Sequence, residues 1–183
     1  MRKLILVLCV LFLSEAALAA APLRSGVYVG SKTGAMRTEM KKDGKRSEDF
    51  VFPFAVALGL RLRHIRVEAE YTFATTAKKG DYEQKTETMF AQIYYDLPFK
   101  SPIRPYFNAG GGRHTTKIEE KNVFKERRKG WAYNVGAGVT WNVSNAVNID
   151  IGYRYLDIGD LKTRTGTIKT KHHVAYIGWR YVF

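Results

Sequence analysis

Charged side chains occupy every second position of two apolar segments. Between residues 65 and 73, Arg66, Glu68 and Glu70 alternate with apolar residues, and between residues 147 and 155, Asp150 and Arg154 do the same. Successive side chains of a β-strand point to opposite faces, so each segment has one apolar and one charged face. Buried charges of opposite sign are tolerated when they pair. We assign seven residues to one interior charge cluster: Arg61, Arg66, Glu68, Glu70, Asp150, Arg154 and Arg180.

Eight segments show this alternation and are predicted to be strands: 26–38, 50–63, 65–73, 83–97, 104–116, 130–143, 146–158 and 167–183. Strands in which apolar and aromatic residues alternate with charged residues are typical of a barrel whose outer side meets lipid. Small residues recur on the predicted inner face: Ala55, Ala57, Gly59, Gly136, Gly138, Gly152 and Gly178. An eight-stranded barrel has a lumen that side chains fill, and small residues suit it. The facing of the first and fifth strands stays unassigned.

The two ends of the chain agree with export to a membrane. Residues 1–19 combine a basic start, a short apolar run and a small-residue exit at Ala17-Leu18-Ala19, which predicts a cleaved signal peptide and a barrel domain over residues 20–183. The only cysteine, Cys9, lies in that leader, so no thiol chemistry is expected of the remainder. The last strand places apolar side chains at every second position up to the terminus, which predicts a C-terminal barrel signal: Ile177, Trp179, Tyr181 and Phe183.

The connectors alternate in length. Short ones are predicted at residues 62–64, 98–102 and 142–145, and long polar loops at 36–49, 74–86, 115–128 and 157–166. Short turns on one side and long loops on the other are the plan of an outer-membrane barrel. Because an unpaired strand edge is not tolerated in hydrocarbon, the first strand must pair with the last. The sequence thus predicts an all-β, eight-stranded antiparallel up-and-down transmembrane β-barrel.

Several short motifs, in order, resemble the opacity-protein and OmpA-like family of small outer-membrane barrels: residues 26–30 (GVYVG), 68–71 (EAEY), 94–97 (YYDL), 104–112 (RPYFNAGGG), 136–138 (GAG), 151–157 (IGYRYLD) and the terminal Phe183. The resemblance covers the whole chain after the leader. It implies a bacterial outer-membrane location and an eight-stranded barrel. It implies no single activity, because the family includes adhesins, envelope-supporting proteins and narrow pores.

The predicted third long loop is rich in basic residues, and the chain has a net charge of +13. This basic surface loop comprises Lys117, Lys121, Lys125, Arg127, Arg128 and Lys129. Lysine and arginine near the outer rim would form charge-assisted contacts with phosphates of lipopolysaccharide or with polyanions of a host-cell surface. Ordinary solvated charges are the alternative. Nucleic acid is not expected as a partner, because the aromatic residues that stack on bases are needed on the lipid face.

Catalysis is not expected. A serine–histidine–acid set would have to converge at the outer rim, whereas His64 and Ser144 fall in short turns and His172 and His173 face opposite sides of one strand. His114 has no serine beside it in the sequence. No metal or cofactor is expected either, since neighbouring histidines on a strand cannot converge on one ion.

These patterns predict a non-enzymatic surface protein that supports the envelope and interacts through its loops. The expected partners are the outer membrane, lipopolysaccharide, host-surface polyanions and, through the C-terminal strand, the barrel-assembly machinery. The interior charges predict either a structural plug of ion pairs or a constriction that selects ions, so a narrow porin is the alternative function. A lipid A-modifying enzyme ranks behind both.

Overall fold

The computed structural model describes residues 25–42, 45–79, 82–120, 124–163 and 166–183. The predicted signal peptide lies outside the described residues. The described chain forms nine strands: β1 (Gly26–Lys42), β2 (Lys45–Val51), β3 (Phe54–Leu62), β4 (Ile65–Lys79), β5 (Tyr82–Asp96), β6 (Ile103–Glu120), β7 (Phe124–Asn142), β8 (Val147–Thr163) and β9 (Gly166–Val182). All neighbours pair antiparallel. None of the described residues forms a helix long and apolar enough to cross a bilayer.

The second barrel strand is interrupted at a proline. β2 pairs with the outer part of β1 from Met36 onward, and β3 pairs with its inner part as far as Thr33. Pro53 stands between them and has no N–H to donate to a ladder, which ends regular pairing there. The Thr33 hydroxyl donates instead to the carbonyl of Pro53 at 3.2 Å. β2 and β3 therefore act as one broken strand, and the predicted eight-stranded barrel is confirmed.

The sheet closes through β1 and β9, as hydrocarbon requires. The register of the barrel is offset. A path that starts at Val29 of β1 and moves to the directly opposite residue of each next strand returns to β1 at Glu39, ten residues further along. This offset is the shear of the barrel, and a shear of this size tilts the strands by roughly 35–45°. Eight strands at such a tilt enclose a lumen only wide enough for side chains.

Exposure alternates along the strands. In β3 each second residue is buried, and the intervening Leu58 is 57% exposed. The same holds for Ile93 and Ile151, which are each 53% exposed. Large apolar side chains thus cover the outside, where they contact lipid, while polar residues fill the inside. The residues of the predicted C-terminal signal follow the pattern and face outward, whereas Arg180 and Val182 face the lumen.

The two ends of the barrel differ. Short turns join the strands at Arg63–His64, Leu97–Pro102 and Val143–Ala146, at the predicted positions. The prediction of long loops at the other end is wrong, because the strands continue as paired hairpins almost to their tips. Sequence alternation fades in these segments, because polar residues occupy successive positions there. We call these four extensions the outer hairpins: 39–49, 74–84, 117–128 and 160–171.

Candidate functional site: the charged lumen

The seven residues assigned to the interior charge cluster face the lumen and are at most 8% exposed. The structure adds Lys32, Asp96 and Arg104, which are also buried. We divide the charges by height into a turn-side cluster, next to the short turns, and a central cluster. The turn-side cluster consists of Arg61, Arg66, Asp96, Arg104, Asp150 and Arg180, and the central cluster of Lys32, Glu68, Glu70 and Arg154.

In the turn-side cluster, two aspartates hold three arginines. Asp96 accepts from Arg61 Nη2 at 2.9 Å and from Arg66 Nη2 at 2.8 Å, one on each carboxylate oxygen. Asp150 accepts from Arg180 Nε at 2.6 Å and from Arg66 Nη1 at 3.4 Å. Arg66 thus bridges the two carboxylates across the lumen. Because its guanidinium also lies 4.3 Å from the ring centroid of Tyr94, it is held from several sides.

In the central cluster, two glutamates meet a lysine and an arginine. Lys32 Nζ bridges Glu68 and Glu70, with 2.6 Å to Glu70 Oε2. Arg154 Nη1 donates to Glu70 Oε1 at 2.7 Å. The Tyr94 hydroxyl accepts from Lys32 at 2.8 Å and from Arg154 at 3.0 Å. The charges in this cluster balance, and each is hydrogen-bonded, which is the condition for burying them without a large cost.

Tyrosine rings fill the space beside the small inner residues. A Cβ on Gly59 would lie 2.2 Å from the Tyr28 ring, and one on Gly152 would lie 2.4 Å from the Tyr106 hydroxyl. Tyr106 and Tyr176 share a hydrogen bond of 2.7 Å across the lumen. The predicted small residues are therefore the complements of large rings, and together they pack the narrow interior.

Beyond the central cluster, toward the outer hairpins, the lumen contains an apolar cluster beside buried polar side chains such as Thr88, His114 and Thr116. Phe90, Ala132, Leu156 and Ile158 form a buried hydrophobic cluster there. His172 Nδ1 lies 2.9 Å from the Thr38 hydroxyl on the inner face. This cluster adds a layer of contacts across the lumen on the side away from the turns.

The histidines lie at different places: His114 and His172 are buried in the lumen within electrostatic range of each other, and His64 lies in a short turn. His172 faces the lumen, while its neighbour His173 contacts the Tyr153 hydroxyl outside. The Ser144 hydroxyl accepts a hydrogen bond from the backbone N–H of Val147 at 3.0 Å and so stabilises the turn in which it lies. Among the residues that the structure describes, no three histidine, cysteine or acidic side chains are arranged to hold a metal ion.

The predicted basic loop is for the most part not a loop. Lys117 lies on β6, and Lys125, Arg127, Arg128 and Lys129 lie on β7, so their backbone is paired. Lys121 lies outside the described residues, as do the side chains of the others except Lys129, which is exposed. The register aligns basic residues across three strands, since Lys85 of β5 is opposite Lys117 and Lys117 is opposite Arg127. We call these three residues the basic row.

Sequence reasoning missed three buried charges, for identifiable reasons. Lys32 and Arg104 lie on the first and fifth strands, whose facing was not assigned. In the first strand, Val27 and Val29 are apolar residues at alternate positions. If they face lipid, the alternation places Lys32 on the inner face. Asp96 was placed on the correct face of the fourth strand but was left out of the charge set.

A closed antiparallel barrel with an apolar outside and an ion-paired inside is an outer-membrane β-barrel. The family model described as "Outer membrane protein beta-barrel domain" matches residues 5–183, and the chain belongs to this family. The protein is accordingly located in the bacterial outer membrane.

Solved structures of similar barrels agree on the fold. Neisserial surface protein A is 23% identical and superimposes with a TM-score of 0.70 over 87% of this chain and 98% of its own. The attachment invasion locus protein Ail of Yersinia pestis, solved in complex with the heparin analogue sucrose octasulfate, is 16% identical, with a TM-score of 0.53 over 85% of this chain and 99% of its own. At these identities the similarity establishes the fold alone.

A curated relative is a Brucella abortus protein of uncharacterised role. It is 30% identical over 39% of this chain. The aligned segment spans 30% of the length of the Brucella protein, which is less than a third of it.

Proposed function

We propose that this chain is a non-enzymatic surface protein of the outer membrane that binds anionic polymers through its outer hairpins. The observation that carries the proposal is the occupied lumen. Ten charged residues, four tyrosines and an apolar cluster are packed inside a barrel of shear ten. A lumen filled in this way favours a plug over a pore and leaves the outer hairpins as the part of the chain free to meet partners.

The outer hairpins are long enough to project from the membrane. A transmembrane strand needs about 9–11 residues, whereas β1 and β8 have 17 residues each and β7 has 19. The surplus of roughly seven residues corresponds to about 20–25 Å of strand beyond the hydrocarbon. A paired hairpin backbone of this length suits contact with an extended, regularly charged polymer.

The basic row lies at the base of the second outer hairpin and in the third, and it gives this end of the barrel a preferred ligand chemistry. Lys85, Lys117 and Arg127 occupy directly opposite backbone positions across β5, β6 and β7. Lysine and arginine side chains form charge-assisted hydrogen bonds with sulfate and phosphate groups, so the row favours an anionic ligand. The heparin analogue bound by Ail supports the same chemistry on a related fold. Lipopolysaccharide phosphates and sulfated host polysaccharides both offer such groups.

The basic row can be tested by a matched pair of charge variants. We expect Lys85→Gln/Lys117→Gln/Arg127→Gln to weaken binding of the refolded protein to immobilised heparin by about tenfold, because three surface charge contacts contribute roughly 1–1.5 kcal/mol together. The control, Lys41→Gln/Lys42→Gln/Lys45→Gln, removes the same charge from the first outer hairpin. It should bind within about twofold of the unmodified protein.

Equal weakening in both triple variants would contradict a specific role of the basic row and leave only a net-charge effect. Vesicles that contain lipopolysaccharide provide the second arm of the experiment. A loss confined to heparin assigns a host polymer as the partner, and a loss confined to the vesicles assigns lipopolysaccharide. Raising the salt concentration should reduce either interaction, as for any contact between exposed charges.

Export and assembly are proposed on the sequence. Residues 1–19 act as a cleaved signal peptide, and residues 20–183 form the barrel domain. The outward-facing residues Ile177, Trp179, Tyr181 and Phe183 supply the strand that the barrel-assembly machinery recognises. Their exposure on the lipid side of β9 is consistent with such a role.

A further inference from the structure

The two charge clusters differ in balance. In the central cluster, Lys32 and Arg154 face Glu68 and Glu70, so the formal charges cancel. The turn-side cluster has four arginines and two aspartates. Arg104 has a further interaction, and the other three arginines exceed the two aspartates by one positive charge. All six of its charged residues are at most 5% exposed. A buried excess of charge is expensive unless a counter-charge accompanies it.

The arginines of the turn-side cluster are close enough to repel one another. Arg61 and Arg66 are directly opposite across β3 and β4. Arg61 also lies within electrostatic range of Arg104 and Arg180. Because like charges on directly opposite residues destabilise a sheet, the two aspartates leave part of this repulsion uncompensated.

Several buried N–H groups of the cluster lack an acceptor. Arg61 Nε, Arg66 Nε and Arg180 Nη1 have no hydrogen-bond partner among the described residues, and all three atoms are buried. The carboxylates of Asp96 and Asp150 are hydrogen-bonded to other nitrogens of these arginines and do not reach the three unpaired ones. Buried donors without acceptors are rare in folded proteins, and each calls for a specific partner.

We propose that the turn-side cluster binds one small inorganic anion of the size of chloride, coordinated by Arg61, Arg66 and Arg180. An anion satisfies the free N–H groups and also offsets the excess charge, whereas water does only the first. The anion must be small, because Tyr28 and Tyr106 are fully buried beside these arginines and Arg180 lies 5.3 Å from the centroid of the Tyr28 ring. This site goes beyond the proposed function, since it lies in the lumen at the end opposite the outer hairpins.

Anion-dependent stability tests the site. The refolded protein in detergent is heated at constant ionic strength while sodium chloride replaces sodium gluconate, whose anion is too large for the lumen. Binding to the folded state alone raises stability with ligand concentration, so we expect the midpoint of thermal unfolding to rise by about 3–5 °C. The rise should depend on the logarithm of chloride concentration above the dissociation constant.

A matched pair of variants locates the effect. Arg61→Gln removes one excess charge and leaves Asp96 paired with Arg66, so the chloride dependence should fall by at least half. Arg63→Gln removes the same charge from the exposed turn two residues away and should keep the full dependence. Equal midpoints in chloride and gluconate for the unmodified protein would overturn the proposal, as would an unchanged chloride dependence in Arg61→Gln.

Bromide provides a test that needs no variant. In crystals of the unmodified protein grown with sodium bromide, an anomalous scattering peak between Arg61 and Arg180 is expected. Anomalous peaks confined to the protein surface would overturn the proposal.

Discussion

Replacing Asp150 by alanine is expected to lower the free energy of unfolding by about 3–5 kcal/mol, because removal of one partner leaves buried charges uncompensated. Asp150 accepts from Arg66, Arg180 and the Thr140 hydroxyl. In its absence Arg180 loses its carboxylate partner, and Arg66 keeps Asp96 alone. Three arginines of the turn-side cluster would then face one negative charge.

Urea unfolding of the barrel in phospholipid vesicles, followed by tryptophan fluorescence, measures this loss. A matched control is Asp157→Ala on the same strand. Its carboxylate accepts from the exposed Tyr133 hydroxyl at 3.0 Å and from the backbone N–H of Gly159 at 2.8 Å, both outside the lumen. That variant should lose about 1–2 kcal/mol, the usual contribution of two hydrogen bonds, and so less than Asp150→Ala. Similar losses in the two variants would show that the charges of the lumen contribute no more than surface groups do.

Arginine at position 151 should destabilise the barrel by about 2–4 kcal/mol, the cost of a lipid-facing arginine near the middle of the bilayer. Ile151 is 53% exposed and lies opposite Val139 and Ile177, which also face lipid. It is the fifth residue of β8, and a crossing takes about ten. Its side chain therefore lies close to the membrane midplane.

The control for this variant is Val143→Arg, in the short turn after β7, where the side chain is 50% exposed. At the membrane–water interface the same substitution should lower the free energy of unfolding by only about 0–1 kcal/mol. Unfolding in vesicles under the same conditions compares the two. If Ile151→Arg were as stable as Val143→Arg, the outer face of the strands would not be the lipid face.

The barrel can be predicted from the sequence because the facing of each side chain is determined by its immediate neighbours in the strand. Lipid on one side and a polar lumen on the other force strict alternation in β4 and β5, so the facing of Glu68 and Glu70 could be read from neighbouring residues alone. Closure follows from the same constraint, since a strand edge cannot be left in hydrocarbon. The interruption at Pro53 could also have been predicted from its missing N–H.

The pairing of the charges could not be predicted in the same way. Arg154 and Glu70 are 84 positions apart in the chain and meet only because the shear of the barrel brings β8 and β4 to the same height. Lys32 depends on the phase of β1, and that phase is set by its register with β3 and β9. Outside the membrane the constraint on alternation disappears. This explains why the outer hairpins were predicted as loops although their strands continue.

If the buried charges close the lumen, the barrel conducts no ions, and single-channel recording across a planar lipid bilayer measures this conductance. Folding of the inserted protein is verified by its heat-modifiable mobility in gels. A closed lumen predicts a silent bilayer for the unmodified protein. Stable current steps that depend on salt and change in Arg154→Ala or Glu70→Ala would contradict closure and identify the protein as a narrow pore.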